Sequence, residues 1–159
     1  MEHNDSTPQL GILDQRRIEA NVIKPIYERM KAELGKDRAR EIIGEAIKEA
    51  ARAQAADLAA QSGGSTSLVT FRAIQPLWTK GDALRVEEQP SAPNEFNFNV
   101  TRCRYAEMYR EMGLAEIGDL LSCNRDEVFI EGYAPNVEFK RTQTIMNGAS
   151  HCDFRFTER

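Results

Sequence analysis

Apolar positions in the first half of the chain recur at helical spacing. Within Leu13–Leu34, Ile18, Val22, Ile26 and Met30 fall four apart and make one apolar stripe, as in an amphipathic helix. Pro25 lies inside this pattern and predicts a kink or a division there. Gly35 suits the end of that helix, and Asp37 suits the N-cap of a second one over about Arg38–Gln61. On the second helix Ile43, Ile47 and Ala50 share a face, with Ile42 and Ala46 beside them. Its later half is rich in alanine, which favours helix and lets a neighbouring helix approach closely. Ser62-Gly63-Gly64-Ser65 stops it, and a third helix is predicted between Leu68 and Thr79, ending near Pro76 and Trp78.

After Lys80-Gly81-Asp82 the period changes from helical to alternating. Residues 83–87 and 96–100 alternate apolar and polar, as half-buried strands do, and the proline-rich turn Pro90–Asn94 joins them as a hairpin. Arg102–Met112 reads as a helix, and Leu114–Leu121 as a short companion after Gly113. A third strand is expected over Val137–Met146, a turn at Asn147-Gly148, and a fourth strand over His151–Phe156. The sum is an α+β fold, with long N-terminal helices packed on a C-terminal antiparallel sheet of about four strands that carries a helical insertion. Residues 1–10 read as a flexible tail and 11–159 as a single domain, helical over about 11–80 and holding sheet and site over about 81–159.

Composition narrows the function. With 41% apolar and 29% charged residues the chain is globular. A net charge of -4 argues against nucleic acid as a partner. No apolar run approaches the roughly 20 residues of a membrane span, and Met1–Pro8 lacks the layout of a signal peptide. No membrane partner and a cytoplasmic location are therefore expected. The three cysteines, Cys103, Cys123 and Cys152, are odd in number, so free thiols are expected rather than a disulfide framework. Their spacings match no standard zinc site, and no phosphate loop, dinucleotide fingerprint or nucleophile elbow is present, so neither metal nor cofactor is expected.

All three thiols lie in the last third of the chain. On a helix over Arg102–Met112, Tyr105, Met108, Tyr109 and Met112 form an apolar stripe, and Cys103 and Glu107 point together to the other side. They either line a pocket, or Cys103 packs as a small hydrophobe while Glu107 pairs with Arg104 or Arg110. Cys123 and Asp126, three apart at a helix terminus, can face one site; Asp126 can equally serve a cap or turn. Alternation puts Cys152 and Phe154 on one face of the last strand and His151, Asp153 and Arg155 on the other. Adjacent Cys152 and His151 therefore point oppositely and make a poor nucleophile–base pair. Arg141, Arg125 and Arg102 are rivals for holding a substrate carboxylate.

Taken in order, these segments resemble one family. Trp78-x-x-Gly81-Asp82 is followed by Asn99-Val100-Thr101-Arg102-Cys103-Arg104-Tyr105-Ala106-Glu107, then Cys123-x-x-Asp126, then Arg141-Thr142-x-Thr144-Ile145-x-x-Gly148-x-x-x-Cys152-Asp153-Phe154. The series, over roughly Ala39–Phe156, resembles the L-2-amino-thiazoline-4-carboxylic acid hydrolase family, and the three cysteines are its specific part. The resemblance implies hydrolysis of a C–N bond in a small cyclic compound. It carries over Cys103, Glu107, Cys123, Asp126, Cys152 and Asp153 as site candidates; His151 is not part of the pattern.

The reading that follows is a hydrolase of a small heterocycle, a cyclic amidine, thiazoline, lactam or imide. A cysteine attacks the ring carbon and a carboxylate relays protons. Cys123 is the preferred nucleophile, because a helix terminus with Arg125 nearby can lower a thiol pKa. Asp126 or Glu107 is the acid–base partner, and Cys103 and Cys152 complete the pocket. A carboxylate-activated water beside structural cysteines is a variant. The rival class is a non-catalytic sensor domain: the Gly148-x-x-x-Cys152-x-Phe154 ending also resembles ligand-sensing domains of the vinyl-reductase type. The apolar stripe of the N-terminal helices further suggests a homo-oligomer.

Overall fold

The computed structural model describes residues 10–159, so the tail expected over 1–10 lies outside the described residues except for Leu10. Two long helices, α1 (Ile12–Leu34) and α2 (Lys36–Gln61), pack against each other on either side of Gly35. Gly35 has φ +85, a left-handed value that favours glycine, and its N–H donates to Lys31 O at 3.0 Å. Because α2 starts at Lys36, Asp37 lies inside its first turn and is not the cap expected. Helix α1 runs undivided through Pro25. Pro25 and Asn21, whose carbonyl loses its helical donor, are both exposed, so water can serve that oxygen.

The stripe of Ile18, Val22 and Ile26 faces away from the rest of the chain, these residues being 58%, 59% and 48% exposed. Ile12, Arg16, Ala20 and Tyr27 pack inward instead. On α2 the buried face is Ile43, Gly44, Ile47, Ala51 and Ala55; Ala50, expected on it, is exposed. The predicted third helix is two short pieces, α3 (Leu68–Ala73) and α4 (Pro76–Thr79), with Pro76 starting the second.

The sheet is antiparallel, in the order β1-β2-β4-β3, from β1 (Leu84–Glu88), β2 (Glu95–Cys103), β3 (Val137–Lys140) and β4 (Cys152–Glu158). Phe96, Phe98 and Val100 of β2 pair across with Phe156, Phe154 and Cys152 of β4, giving one largely aromatic inner face. Val86 pairs with Val100 but Arg85 pairs with Arg102, so Thr101 is an extra residue in β2. This bulge resets the alternation and turns Cys103, rather than Arg102, inward.

The insertion between β2 and β3 holds α5 (Arg104–Glu111), a π-helical turn (Asp119–Cys123) and α6 (Arg125–Tyr133). Helix α5 starts two residues later than expected, since β2 extends to Cys103, which caps it. Helix α6 was not expected. Its buried Val128-Phe129-Ile130 run is contiguous rather than periodic, because it packs under both α2 and β3. Gly132 makes room for α2: a Cβ there would meet Ala55 Cβ at 3.1 Å. Strand β3 ends at Lys140, well short of Met146. The N–H groups of Thr142 and Gln143 donate to the Asp153 carboxylate instead of a ladder partner (2.9 and 3.0 Å), so residues 141–151 leave the sheet as a strap.

Candidate functional site

Two core clusters meet at Trp78, Leu84 and Cys103, which pack against both. Between them lies a cavity of about 350 Å³, within the size range of small-molecule sites. The inner sheet face forms one wall, with Phe96, Phe98, Val100, Cys152, Phe154 and Phe156. Its exposed lining residues, Arg72, Pro76, Val86 and Glu88, mark an opening between α3–α4 and β1.

All three cysteines line this cavity and are free thiols. Each arrives by a different device. The β2 bulge aims Cys103 inward, where its Sγ accepts the Ala106 N–H at 3.4 Å. Alternation along β4 aims Cys152 inward, where its Sγ accepts the Ile145 N–H at 3.2 Å from the strap. Cys123 ends the π-helical turn, which is closed by Asn124 N–H to Asp119 O at 2.8 Å. Such turns occur often at functional sites.

Asp126 joins them from the first turn of α6 and is paired with Arg141, whose guanidinium also donates to Cys123 O at 3.1 Å. Arg141 further lies over the Phe139 and Phe154 rings, at 5.4 and 5.2 Å. The Asp126 side chain keeps 29% of its surface accessible, and as a lining residue it turns that surface toward the cavity rather than bulk water. Burial therefore raises its pKa, while the Arg141 cation and hydrogen bond oppose the rise.

The thiols are raised as well. Burial pushes Cys103 from 9.0 to about 11, against the pull of the Ala106 N–H. Burial and then the Asp126 charge push Cys123 up strongly, and burial raises Cys152 despite the Ile145 N–H. The lowered pKa expected for Cys123 beside Arg125 is thus not found. Arg141, not Arg125, is the cation that pulls Cys123 down, and loss of water together with the Asp126 charge outweighs it.

The other candidates lie apart from the cavity lining. Glu107 is on the outer side of α5, where Arg102 donates to it at 3.0 Å, and Arg102 also neighbours Asp82 at 4.0 Å. The Arg102 guanidinium holds Glu107 below the usual carboxylate range. Asp153 accepts from the Thr142 hydroxyl as well as the two strap N–H groups, so it shapes the strap and does not face the thiols. His151 points away from Cys152, its Nδ1 3.0 Å from Ser150 Oγ. Among the described residues no group of three or more His, Cys, Asp or Glu is placed to hold a metal ion.

Sequence reasoning missed the helical wall. Arg16 of α1 and Gln54 of α2 line the cavity beside Arg125, as do Tyr105, Tyr109 and Ser122. Arg16 and Glu19 have the spacing of an ordinary surface i,i+3 pair, and only the position of Arg16 one turn from Ile12 and Ala20 marks it as inward-facing. The Tyr109 and Ser122 hydroxyls are 2.6 Å apart, and burial raises Tyr109 to about 12, so this phenol stays neutral.

The molecule is an α+β protein whose sheet and helices border a cavity lined by thiols, a carboxylate and arginines. The chain belongs to the L-2-amino-thiazoline-4-carboxylic acid hydrolase family, whose model matches residues 15–156. No curated protein matches it. Among solved structures, the fold is similar to the phenol-responsive sensory domain of the transcription activator PoxR with phenol, at TM-score 0.53 and 12% identity, covering 86% of this chain and 73% of that one. It is also similar to trafficking protein particle complex subunit 3 from Naegleria fowleri covalently bound to palmitic acid, at TM-score 0.51 and 9% identity, covering 91% and 95%. At these identities the likeness concerns the fold alone. No helix among the described residues is long and apolar enough to cross a membrane.

Proposed function

We propose that the protein hydrolyses a C–N bond of a small heterocycle, a cyclic amidine, thiazoline, lactam or imide, inside this cavity. The observation that carries the reading is the convergence of Cys103, Cys123, Cys152 and Asp126 on one enclosed site, within a chain of a hydrolase family. Cys123 is the nucleophile and Asp126 its base. Burial keeps the thiol protonated at rest and also raises the carboxyl, which makes Asp126 a stronger base than an aspartate in water. As Cys123 Sγ bonds to the ring carbon, its proton passes to Asp126. The ring C–N bond then breaks and Asp126 returns the proton to the leaving nitrogen. Water, deprotonated by Asp126, releases the acyl group and restores the thiol. Arg141 orients Asp126 throughout, while Cys103 and Cys152 shape the wall.

The test is turnover of a panel of such rings, followed by mass, for the wild type and the variants Cys123→Ser, Cys103→Ser, Cys152→Ser and Asp126→Asn. Cys123→Ser and Asp126→Asn should each lose at least a hundredfold. Full turnover by all three serine variants would leave water, activated by Asp126, as the nucleophile.

A second reading, ligand sensing without chemistry, is favoured by the phenylalanine wall, and the fold it shares with a phenol-responsive domain is compatible with it. It predicts that aromatic ligands bind and come off unchanged while the whole ring panel is inert. For the exposed stripe on α1 the reading is a homo-oligomer: Ile18→Glu with Val22→Glu should halve the mass seen by light scattering, and a wild-type monomer would end that idea.

A further inference from the structure

Of the four tyrosines, three spend the hydroxyl proton on an acceptor chain that ends in a carboxylate or a carbonyl. Tyr27 donates to Glu116 Oε2 at 2.7 Å and Tyr105 to Trp78 O at 2.9 Å. Tyr133 donates to Thr70 Oγ1 at 3.0 Å, and that hydroxyl donates on to Ser67 O at 3.0 Å. Tyr109 is the exception. Its hydroxyl meets Ser122 Oγ at 2.6 Å, and neither oxygen has a further hydrogen bond with the described residues. A hydroxyl carries one proton, so the pair holds two, and the bond between them uses one. The other proton is left over, whichever oxygen carries it.

The pair is buried and borders the cavity. Tyr109 is 1% exposed, and both residues line the chamber that Cys123 lines. Gly118, one turn before Ser122, lets the two come close: a Cβ there would meet Tyr109 Cβ at 3.1 Å. The π-helical turn then delivers Ser122 and Cys123, neighbours in sequence, to one cavity. Burial holds the Tyr109 phenol neutral, up at about 12, so the pair offers a proton in a hydrogen bond without giving it away. A buried donor left unpaired costs free energy, and a ligand that brings an acceptor removes that cost.

We infer that the Tyr109–Ser122 hydroxyl pair is the hydrogen-bond donor for a carbonyl oxygen on the carbon that Cys123 attacks, so that a lactam or an imide is the ring this site fits. The inference rests on the hydrolase reading and adds a catalytic group to it. As Cys123 Sγ bonds to the carbonyl carbon and its proton passes to Asp126, the C=O π electrons move onto the oxygen. The negative charge that builds there meets a neutral donor already in place, in a buried wall where such a bond is stronger than in solvent. When the ring C–N bond breaks, the carbonyl re-forms and the pair keeps both protons. An amidinium ring brings only donors and leaves the spare proton unmet.

The test is a double-mutant cycle on lactam and imide turnover with the full chain. Tyr109→Phe and Ser122→Ala each leave one hydroxyl whose proton is free for the substrate, so each should lower kcat by about tenfold or less. The double variant has no donor there and should lose about a hundredfold or more. A pair that only ties α5 to the π-helical turn gives the opposite pattern, because the first change breaks the bond and the second costs nothing further. Calorimetry with an inert ketone reads the same group without chemistry. The double variant should bind 1-indanone about tenfold more weakly than the wild type does, and indane, which lacks the oxygen, within about twofold. A double variant no slower than the worse single variant, or equal changes for ketone and hydrocarbon, would overturn the donor. A selective loss of ketone binding beside an inert ring panel would keep the donor and sink the hydrolase; lactam turnover that survives in the double variant would do the reverse.

Discussion

The buried thiols make a quantitative prediction about alkylation. Only the thiolate reacts appreciably, so the rate follows its population. Moving Cys103 from 9.0 to about 11 lowers that population about a hundredfold at any pH well below 9. The more basic thiolate is intrinsically more nucleophilic; a Brønsted slope of about 0.4–0.5 returns roughly a factor of ten. Cys103 in the double variant Cys123→Ser, Cys152→Ser should therefore react with iodoacetamide about tenfold more slowly than an ordinary thiol. Shielding by the cavity walls slows it further. The stronger signature is the pH profile, because the rate should climb about tenfold per pH unit through pH 9 without levelling. The assay is intact-mass detection of carbamidomethylation from pH 6.5 to 9.5, with circular dichroism to confirm folding at each point. A plateau between pH 7 and 8.5 would mean a thiolate poised at rest, and would refute the argument that loss of water dominates at this wall.

The other expectations rest on packing and on the strap. Phe156→Ala should cost about 3–5 kcal/mol, since the ring is 2% exposed and its neighbours already border a void that cannot collapse, and Tm should fall by roughly 10 °C in a calorimetric scan. A fall of under 3 °C would contradict the packing described. Gly118→Ala places a Cβ 2.7 Å from Met146 Sδ and 3.1 Å from Tyr109 Cβ, so it should destabilise by about 1–3 kcal/mol in urea and push Met146 off the cavity wall. For Asp153, burial would raise the carboxyl, but the Thr142 and Gln143 donors more than offset it and hold the pKa below 3.8. The folded chain thus binds this proton less readily than the unfolded one. The stability it contributes is present above the ordinary aspartate range and is lost as pH falls through the folded value. Asp153→Asn should flatten the acid limb of a Tm–pH curve below about pH 4 and loosen residues 141–151 to proteolysis; an unchanged acid limb would argue against those bonds.

Period alone located most of the fold. The long helices, the hairpin, and the inward turn of Cys152 and Phe154 all follow from spacings of 3.6 or 2. What period could not reveal has physical causes in particular residues. Helix α6 hides because burial on two sides makes Val128-Phe129-Ile130 contiguous. The bulge at Thr101 exchanges the roles of Arg102 and Cys103, and bulges leave no mark on alternation until the register is known. The end of β3 depends on Asp153 capturing the N–H groups of Thr142 and Gln143, eleven and ten residues earlier. Candidate site residues near one another in sequence fared unevenly. Cys123 and Asp126 share the cavity, whereas Glu107 sits four residues from Cys103 and faces out. Arg16 and Gln54 come from helices that carry no chemical motif, and only tertiary packing brings them to the thiols.

The most direct measurement is intact mass of the protein during turnover of a cyclic amide or amidine acid. A ring opened by Cys123 adds the whole substrate mass to the chain, so acid-quenched wild type should carry that transient mass, mapped by peptide analysis to Cys123 and absent from Cys123→Ser. Turnover with no adduct, undiminished in Cys123→Ser, would contradict the account.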